Sequence, residues 1–379
     1  MKKKLIMLIS ISIFLVIQTL AFTEEKAKNE ELLKITGFVD FISSVRMGNA
    51  KTELGKGAMN LYLFSLNFDG SHDIFGYHAT VNLTGTGANK NADTKNFKDY
   101  KHPMWLEEGY VFVKLPIGSD SKLKIGSIYN PFGLQGDNSW YLSYHYYAGL
   151  TLDADYGVVF DSNFAAGKSV NVNFAIGYYM NDDRQNGTRN GGLDIGIEND
   201  PNTEERDKVV ARLVGTMKFS KLSLGLGASA MLGKIENTGN PAGSDTRQQV
   251  FEGDLDFKGD FGKVELRLFG EFITAQRNKD AVVSIGNKNY NLWLGGASFK
   301  FNTGSKYFKS IDLHGNYSQV KRHGPAGIKS DLLIVGSAIN VYNPFTVTIE
   351  YVKGKNDTSK PIDGNRFEDG IYIDFLYNF

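Results

Sequence analysis

Residues 263–272 read Lys263-Val264-Glu265-Leu266-Arg267-Leu268-Phe269-Gly270-Glu271-Phe272, and their alternation decides the fold. Val264, Leu266, Leu268, Gly270 and Phe272 fall on one side, while Lys263, Glu265, Arg267 and Glu271 fall on the other. That period of two is what a β-strand imposes when its faces meet different surroundings. The polar side carries full charges, so one face meets water and the other meets apolar matter.

The same two-sided pattern recurs along the chain. In residues 208–219, Val209, Ala211, Leu213, Gly215, Met217 and Phe219 stand against Lys208, Arg212, Thr216 and Lys218. Residues 311–318 set Ile311, Leu313, Gly315 and Tyr317 against Asp312, His314, Asn316 and Ser318. Residues 345–352 set Phe345, Val347, Ile349 and Tyr351 against Thr346, Thr348 and Glu350. On this reading strands are expected at about 35–45, 59–68, 77–85, 107–115, 122–130, 155–163, 169–179, 208–219, 222–234, 250–258, 263–274, 289–301, 310–320, 331–341, 345–353 and 369–379, about sixteen in all.

Alternation alone does not name the solvent, because a secreted sandwich or lectin-like repeat alternates too. The connections separate the two. After even-numbered strands they are short, at 116–121, 163–167, 220–221, 259–262 and 342–344; after odd-numbered strands they are long and polar, at 88–101, 181–207, 237–248 and 353–366. Tight turns at one end and long loops at the other are the plan of an all-β, up-and-down antiparallel transmembrane barrel, with turns inside the periplasm and loops outside the cell. The first and last strands must then pair, which removes both open edges. Barrels of this size enclose an aqueous channel.

Composition agrees with a folded, exported chain. The 379 residues include no Cys, which excludes a disulfide scaffold and a thiolate metal site. Lys plus Arg and Asp plus Glu both total 42, so no basic field draws nucleic acid. Lys2, Lys3 and Lys4 precede an uncharged apolar stretch over 5–20, and Thr19 and Ala21 supply small residues at minus three and minus one, the pattern of a cleaved signal peptide over 1–21. At about 16 residues the stretch is short for a membrane-spanning helix. Its removal takes three lysines and leaves 39 positive against 42 negative side chains, a formal charge of minus 3. Residues 22–33, which include the charged run 24–31, are expected to form a periplasmic lead-in, and 34–379 a single barrel.

At the C-terminus Ile371, Ile373, Phe375, Tyr377 and Phe379 form an apolar and aromatic face against Tyr372, Asp374 and Asn378. A terminal Phe on such a strand, with Phe375 and Tyr377 before it, resembles the signal by which outer-membrane barrels engage the barrel assembly machinery. Farther upstream, Leu123-Lys124-Ile125-Gly126-Ser127-Ile128-Tyr129-Asn130-Pro131-Phe132-Gly133 ends a strand in Gly-x-x-x-x-Pro-Phe-Gly and is followed by a long loop and Tyr156-Gly157-Val158-Val159-Phe160. Over residues 106–183 this is similar to the phosphate-selective porin family and its broader relatives. The resemblance implies a sixteen-stranded outer-membrane barrel, a homotrimer, and a third extracellular loop, here about 130–153, folded inward to narrow the pore.

That loop departs from the family's lysine-rich constriction. Between Lys124 and Lys168 there is no Lys or Arg, whereas Asp137, Asp153 and Asp155 accompany Trp140, Tyr141, Tyr144, His145, Tyr146 and Tyr147. An anion filter needs donors or positive charge at close quarters, so the expectation is a neutral to mildly cation-favouring constriction, in which replacing Asp137 and Asp153 by Asn reduces cation preference. The aromatics either pack the loop on the wall or give sugar rings a sliding surface. Lys124, Arg212, Glu252, Asp254, Asp256, Glu265, Arg267, Glu271 and Glu350 are expected to line the lumen and set a field across it.

Other motifs carry less. Residues 163–169 end like a phosphate-binding loop but have Ser162 where the first Gly is required and join two strands. Residues 254–265 approach a calcium loop but place Lys258 at a ligand position. The six His residues make no metal spacing, and no catalytic constellation appears. The chain is therefore expected to be a passive diffusion channel for small hydrophilic solutes and ions, in contact with outer-membrane lipid, not an enzyme and without cofactor or metal. The alternatives are a phosphate- or sugar-selective porin and a receptor or adhesin barrel with a blocked lumen. The long loop 181–207 motivates the last of these, and a protease or lipase site built from distant loops is a further one.

Overall fold

The computed structural model describes residues 32–46, 60–84, 104–139, 143, 150–151, 154–181, 203–237, 246–277, 289–323, 329–342, 344–356 and 369–379. Sixteen strands run in chain order: β1 (Lys34–Arg46), β2 (Asn60–His72), β3 (Phe75–Thr84), β4 (Met104–Leu115), β5 (Asp120–Tyr129), β6 (Ala154–Ala166), β7 (Val170–Asn181), β8 (Thr203–Phe219), β9 (Leu222–Asn237), β10 (Thr246–Asp260), β11 (Val264–Arg277), β12 (Tyr290–Asn302), β13 (Ser310–Arg322), β14 (Lys329–Tyr342), β15 (Phe345–Asn356) and β16 (Gly370–Asn378). Each pairs antiparallel with its chain neighbours, and β16 returns to β1, closing the barrel.

Closure is held at the chain's last residue. Phe379 N–H donates to Gly37 O at 2.9 Å and Gly37 N–H to Phe379 O at 3.0 Å. The Phe379 ring stacks on Phe64 of β2 with centroids 6.0 Å apart. Gly37 permits that approach, since a Cβ there would lie 2.3 Å from Ser65 O and 2.8 Å from the Phe379 ring.

The two faces separate as the sequence pattern requires. Leu213, Phe272, Trp293 and Val335 project outward and are about half exposed, while the alternating neighbours Arg212, Glu271, Leu292 and Ile334 turn inward. Outward aromatics collect toward both ends, with Phe164, Phe219, Phe261, Phe301 and Phe308 near the turns and Tyr156, Tyr178 and Trp293 toward the other rim. This is the distribution of a wall wetted by hydrocarbon between two interfaces.

The strands outrun their apolar pattern. β8 begins at Thr203 and β10 at Thr246, five and four residues before the alternation predicts. Beyond the apolar band both faces are polar, so the periodic signal ends although the ladder continues, as in Gln248↔Gly233.

Candidate lumen and constriction

The inward face begins with an irregularity. A bulge opposite Thr80 and Val81 of β3 turns two consecutive carboxylates of β4 the same way, which regular alternation forbids. Glu107 accepts from Asn82 Nδ2 at 2.8 Å and from Tyr129 OH at 2.6 Å. Glu108 accepts from Tyr129 N–H at 3.2 Å and lies 3.6 Å from Nε2 of His78, whose Nδ1 is 2.6 Å from Asp69. Lys124 of β5 reaches Asp161 of β6 at 2.6 Å and lies over the Tyr110 ring.

After β5 the chain crosses to the far wall. Gly133 N–H donates to Ser229 Oγ of β9 at 3.1 Å and Leu134 N–H to Glu271 Oε1 of β11 at 2.8 Å. Asn138 Nδ2 donates to Ser298 Oγ of β12 at 2.7 Å, and Asn316 Nδ2 of β13 to the Asp137 carbonyl at 2.8 Å. Arg267 of β11 donates to the Gly136 carbonyl at 3.2 Å and to Asn138 Oδ1 at 2.5 Å. Gly133, at φ +63°, leaves room for the Glu271 carboxylate, which a Cβ would meet at 2.3 Å. Asn138 sits at φ 66°, a left-handed conformation that Asn tolerates.

Phe132 and Leu150 are buried with inward side chains contributed by every strand from β5 to β16, among them Ile128, Val210, Val250, Ile273, Val320 and Val352. This apolar collar lies toward the rim opposite the short turns. On β1–β4 the buried inward side chains are polar, at Asp40, Ser65 and Asn82, with Glu107 bonded to Asn82.

Arg212, Arg267, Glu265 and Glu350 stand in short-range pairs with neighbouring side chains. Arg212 of β8 reaches Glu252 at 3.1 Å and Asp254 at 2.7 Å, and also donates to Ser229 Oγ. Arg267 grips Asp256 through Nε and Nη2 at 2.8 and 3.2 Å and covers the Phe269 ring. Lys300 and Asn302 approach Glu265 at 3.3 and 2.8 Å, and Glu350 meets His314 at 2.9 Å with both side chains buried. The field of each base is thus spent largely on its neighbours. Acids exceed bases locally: Glu252 and Asp254 share one Arg212, and Glu271 stands opposite Asp254 on the next strand.

Of the residues expected at the constriction, Asp137 and Asp155 are described and both are fully buried. Asp137 Oδ1 accepts from the backbone N–H and hydroxyl of Ser139 at 3.1 and 2.8 Å. Asp155 lies on β6, ion-paired to Lys208 of β8 and accepting from Asn130 Nδ2 at 3.2 Å. Trp140, Tyr141, Tyr144, His145, Tyr146, Tyr147 and Asp153 lie outside the described residues, as do residues 1–31. Phe375, Tyr377 and Phe379 are stacked on the outer wall, Phe375 against Phe345 and Tyr377 against Phe379. Sequence reasoning left out the residues that receive the crossing segment, namely Ser229, Ser298 and Asn316. It left out Asp161, Glu107 and Glu108 as well.

No protein-family model matches this sequence, and no curated protein matches it. Solved structures do. OmpF of Salmonella typhi in complex with daunomycin aligns at a TM-score of 0.61 and 13% identity over 92% of this chain and 97% of that one. The outer membrane channel DcaP of Acinetobacter baumannii aligns at 0.54 and 12% over 94% and 99%. An anion-selective porin from Comamonas acidovorans aligns at 0.55 and 13% over 92% and 99%. At such identities the likeness is one of fold: all are barrels of this kind.

Proposed function

We propose that the chain is a passive channel of a bacterial outer membrane, admitting small hydrophilic solutes and ions and favouring cations mildly. The observation that carries this is the closed sixteen-stranded wall, apolar outside and ionic inside, with residues 132–138 laid across its bore. A wall of this kind needs hydrocarbon around it and water within. The excess of inward carboxylates over bases sets the sign of the preference, because a ring of acids lowers the cost of partial dehydration for a cation.

The path on this reading is eccentric. The collar occupies the sector of β5–β16, so solutes pass along β1–β4, where the buried inward side chains Asp40, Ser65 and Asn82 are polar. The channel is a homotrimer like the relatives implied by the resemblance, exported by residues 1–21 and assembled through Phe375, Tyr377 and Phe379. Phosphate selectivity has little support here, since the inward lysines Lys124 and Lys208 are already committed to Asp161 and Asp155.

The collar also supports a second reading, a barrel closed at one rim whose long loops hold an external ligand. Planar bilayers decide between them. Folded, purified protein should give stepwise conductance, with a reversal potential in a salt gradient of the sign that cations set. Folded protein without steps would remove the channel reading and leave the receptor.

A further inference from the structure

Among the described residues the outer wall carries an unbalanced basic patch. Lys321, near the end of β13, stands directly opposite Lys329, the first residue of β14. On the next strand Lys355 stands opposite Asp331, and Lys353 opposite Leu333. All four lysines face outward, since they alternate with the buried inward side chains of Val320, Ser330, Leu332 and Val352.

Like charges placed opposite one another across a ladder oppose strand pairing, and little on this face offsets them. Asp331 is the one acid among the described residues within ion-pair reach, at 3.6 Å from Lys329 Nζ. Its Oδ1 is already shared by Tyr317 OH at 2.8 Å and Gln319 Nε2 at 2.5 Å. Asp369 is turned to the backbone N–H of Gly354. Lys321, Lys353 and Lys355 make no ion pair with any described residue. The corresponding outer face of β7–β9 is balanced, with Asp207 between Lys234 and Tyr178 at 3.0 Å each.

The patch has an apolar continuation. Level with Lys353 and then farther from the rim, the same columns present Leu333, Val335, Tyr351 and Ile349, all at least a third exposed. Between the two zones Trp293 donates its indole N–H to Gln319 at 3.2 Å, the posture of an aromatic at a membrane interface. With strands about 4.8 Å apart and about 6.8 Å per two residues, the ammonium groups span roughly 10–15 Å, the width of one lipid headgroup carrying one or two phosphates.

We propose that Lys321, Lys329, Lys353 and Lys355 form a binding site for the phosphorylated headgroup of a membrane lipid, whose acyl chains lie on the Leu333, Val335 and Ile349 surface. A basic cluster at headgroup height above an apolar wall selects such a lipid over neutral ones. The site rests on the reading of the barrel as membrane-spanning with its long connections outside, and it does not depend on conduction.

The test uses the full folded protein in detergent and native mass spectrometry. The probes are a bisphosphorylated, multiply acylated glucosamine lipid, the same lipid dephosphorylated, and inorganic phosphate. Wild type should retain the phosphorylated lipid, and the quadruple Lys→Gln variant should lose retention by roughly a hundredfold, four lysines near an anionic headgroup contributing together. Equal retention by both proteins, or equal retention of the dephosphorylated lipid by wild type, overturns the site. Inorganic phosphate that displaces the lipid at matched concentration overturns it too, since the patch would then read phosphate alone. Should the quadruple variant fail to fold, the double variant K321Q/K329Q and release from wild type at high salt are the readings, and no effect in either refutes the proposal. Bilayer recordings on the same preparations keep the two hypotheses apart. Lysine-dependent retention in a silent barrel sustains the lipid site while the channel falls.

Discussion

Arg267 and Asn138, 129 positions apart in the chain, meet across the bore with Nη1 2.5 Å from Oδ1. Asp256 holds the same guanidinium at two points, so its free edge is aimed before the segment arrives. Charge-assisted hydrogen bonds are each worth about 1.5–3 kcal/mol. Replacing Arg267 by Gln should therefore release residues 136–138 from the wall and shift the pinned-to-released balance by roughly thirtyfold or more. Single-channel recordings should show larger and noisier open currents. Unaltered current and noise would mean that the neighbouring contacts from Ser298 and Asn316 suffice.

Asp137 makes a contrasting prediction. It is one of the carboxylates that sequence alone nominates for ion selection, with Asp153 and Asp155, yet its side chain is buried and committed to Ser139. A carboxylate without access to the permeation path acts on loop shape. Asp137→Asn should leave the reversal potential in a salt gradient unchanged. Neutralising the partly exposed acids Asp69, Asp161 and Glu265 together should move it toward zero, because these carboxylates keep contact with the water that ions cross. The reverse ranking would return Asp137 to the filter.

What was legible in the sequence follows from what the surroundings impose. Leu266, Leu268 and Phe272 had to alternate with Glu265, Arg267 and Glu271 because hydrocarbon and water lie on opposite sides of one strand, so all sixteen strands could be read. The outer ends of β8 and β10 could not, since the sequence there, Thr203-Glu204-Glu205 and Thr246-Arg247-Gln248, is polar at every position and carries no alternation. Glu107 and Glu108 defeat the pattern for a different reason: a bulge sends both inward, and a single sequence carries no mark of it. The crossing segment was legible as a loop, but not its landing points. Ser229, Ser298 and Asn316 look like any small polar residue of an inner wall, and only the closed register brings them to Gly133, Asn138 and Asp137.

Gly37 is the point at which closure is most sensitive. The backbone oxygen of Ser65 leaves no space for a Cβ, and the Phe379 ring covers the remaining side. Gly37→Val forces a shift in β1 where it pairs with β16, and overpacking of this kind costs about 1–3 kcal/mol. The fraction of protein migrating as the folded, heat-modifiable species should fall, and removal of Phe379 should lower it in the same direction by deleting two backbone hydrogen bonds. A variant at Gly37 that assembles as efficiently as wild type would show that the β1–β16 seam is more compliant than its geometry indicates.

The pair Asp155 and Lys208 joins the start of β6 to β8, with side chains 1% and 3% exposed and the Tyr179 ring beside the ammonium. Asn130, where the chain leaves β5, donates to the same carboxylate, so the pair fixes the root of the crossing segment as well. Removing one partner strands a buried charge, at a cost of about 3–5 kcal/mol. Asp155→Asn should accordingly lower the urea midpoint of the vesicle-inserted barrel, and Lys208→Met should do the same from the other side. The double variant D155N/K208M leaves no ion uncompensated and should recover much of the loss, since an apolar side chain of similar volume fills the space under Tyr179. Two single effects that merely add would show that each side chain works alone, and that the root of the segment is held by Asn130 and its backbone instead.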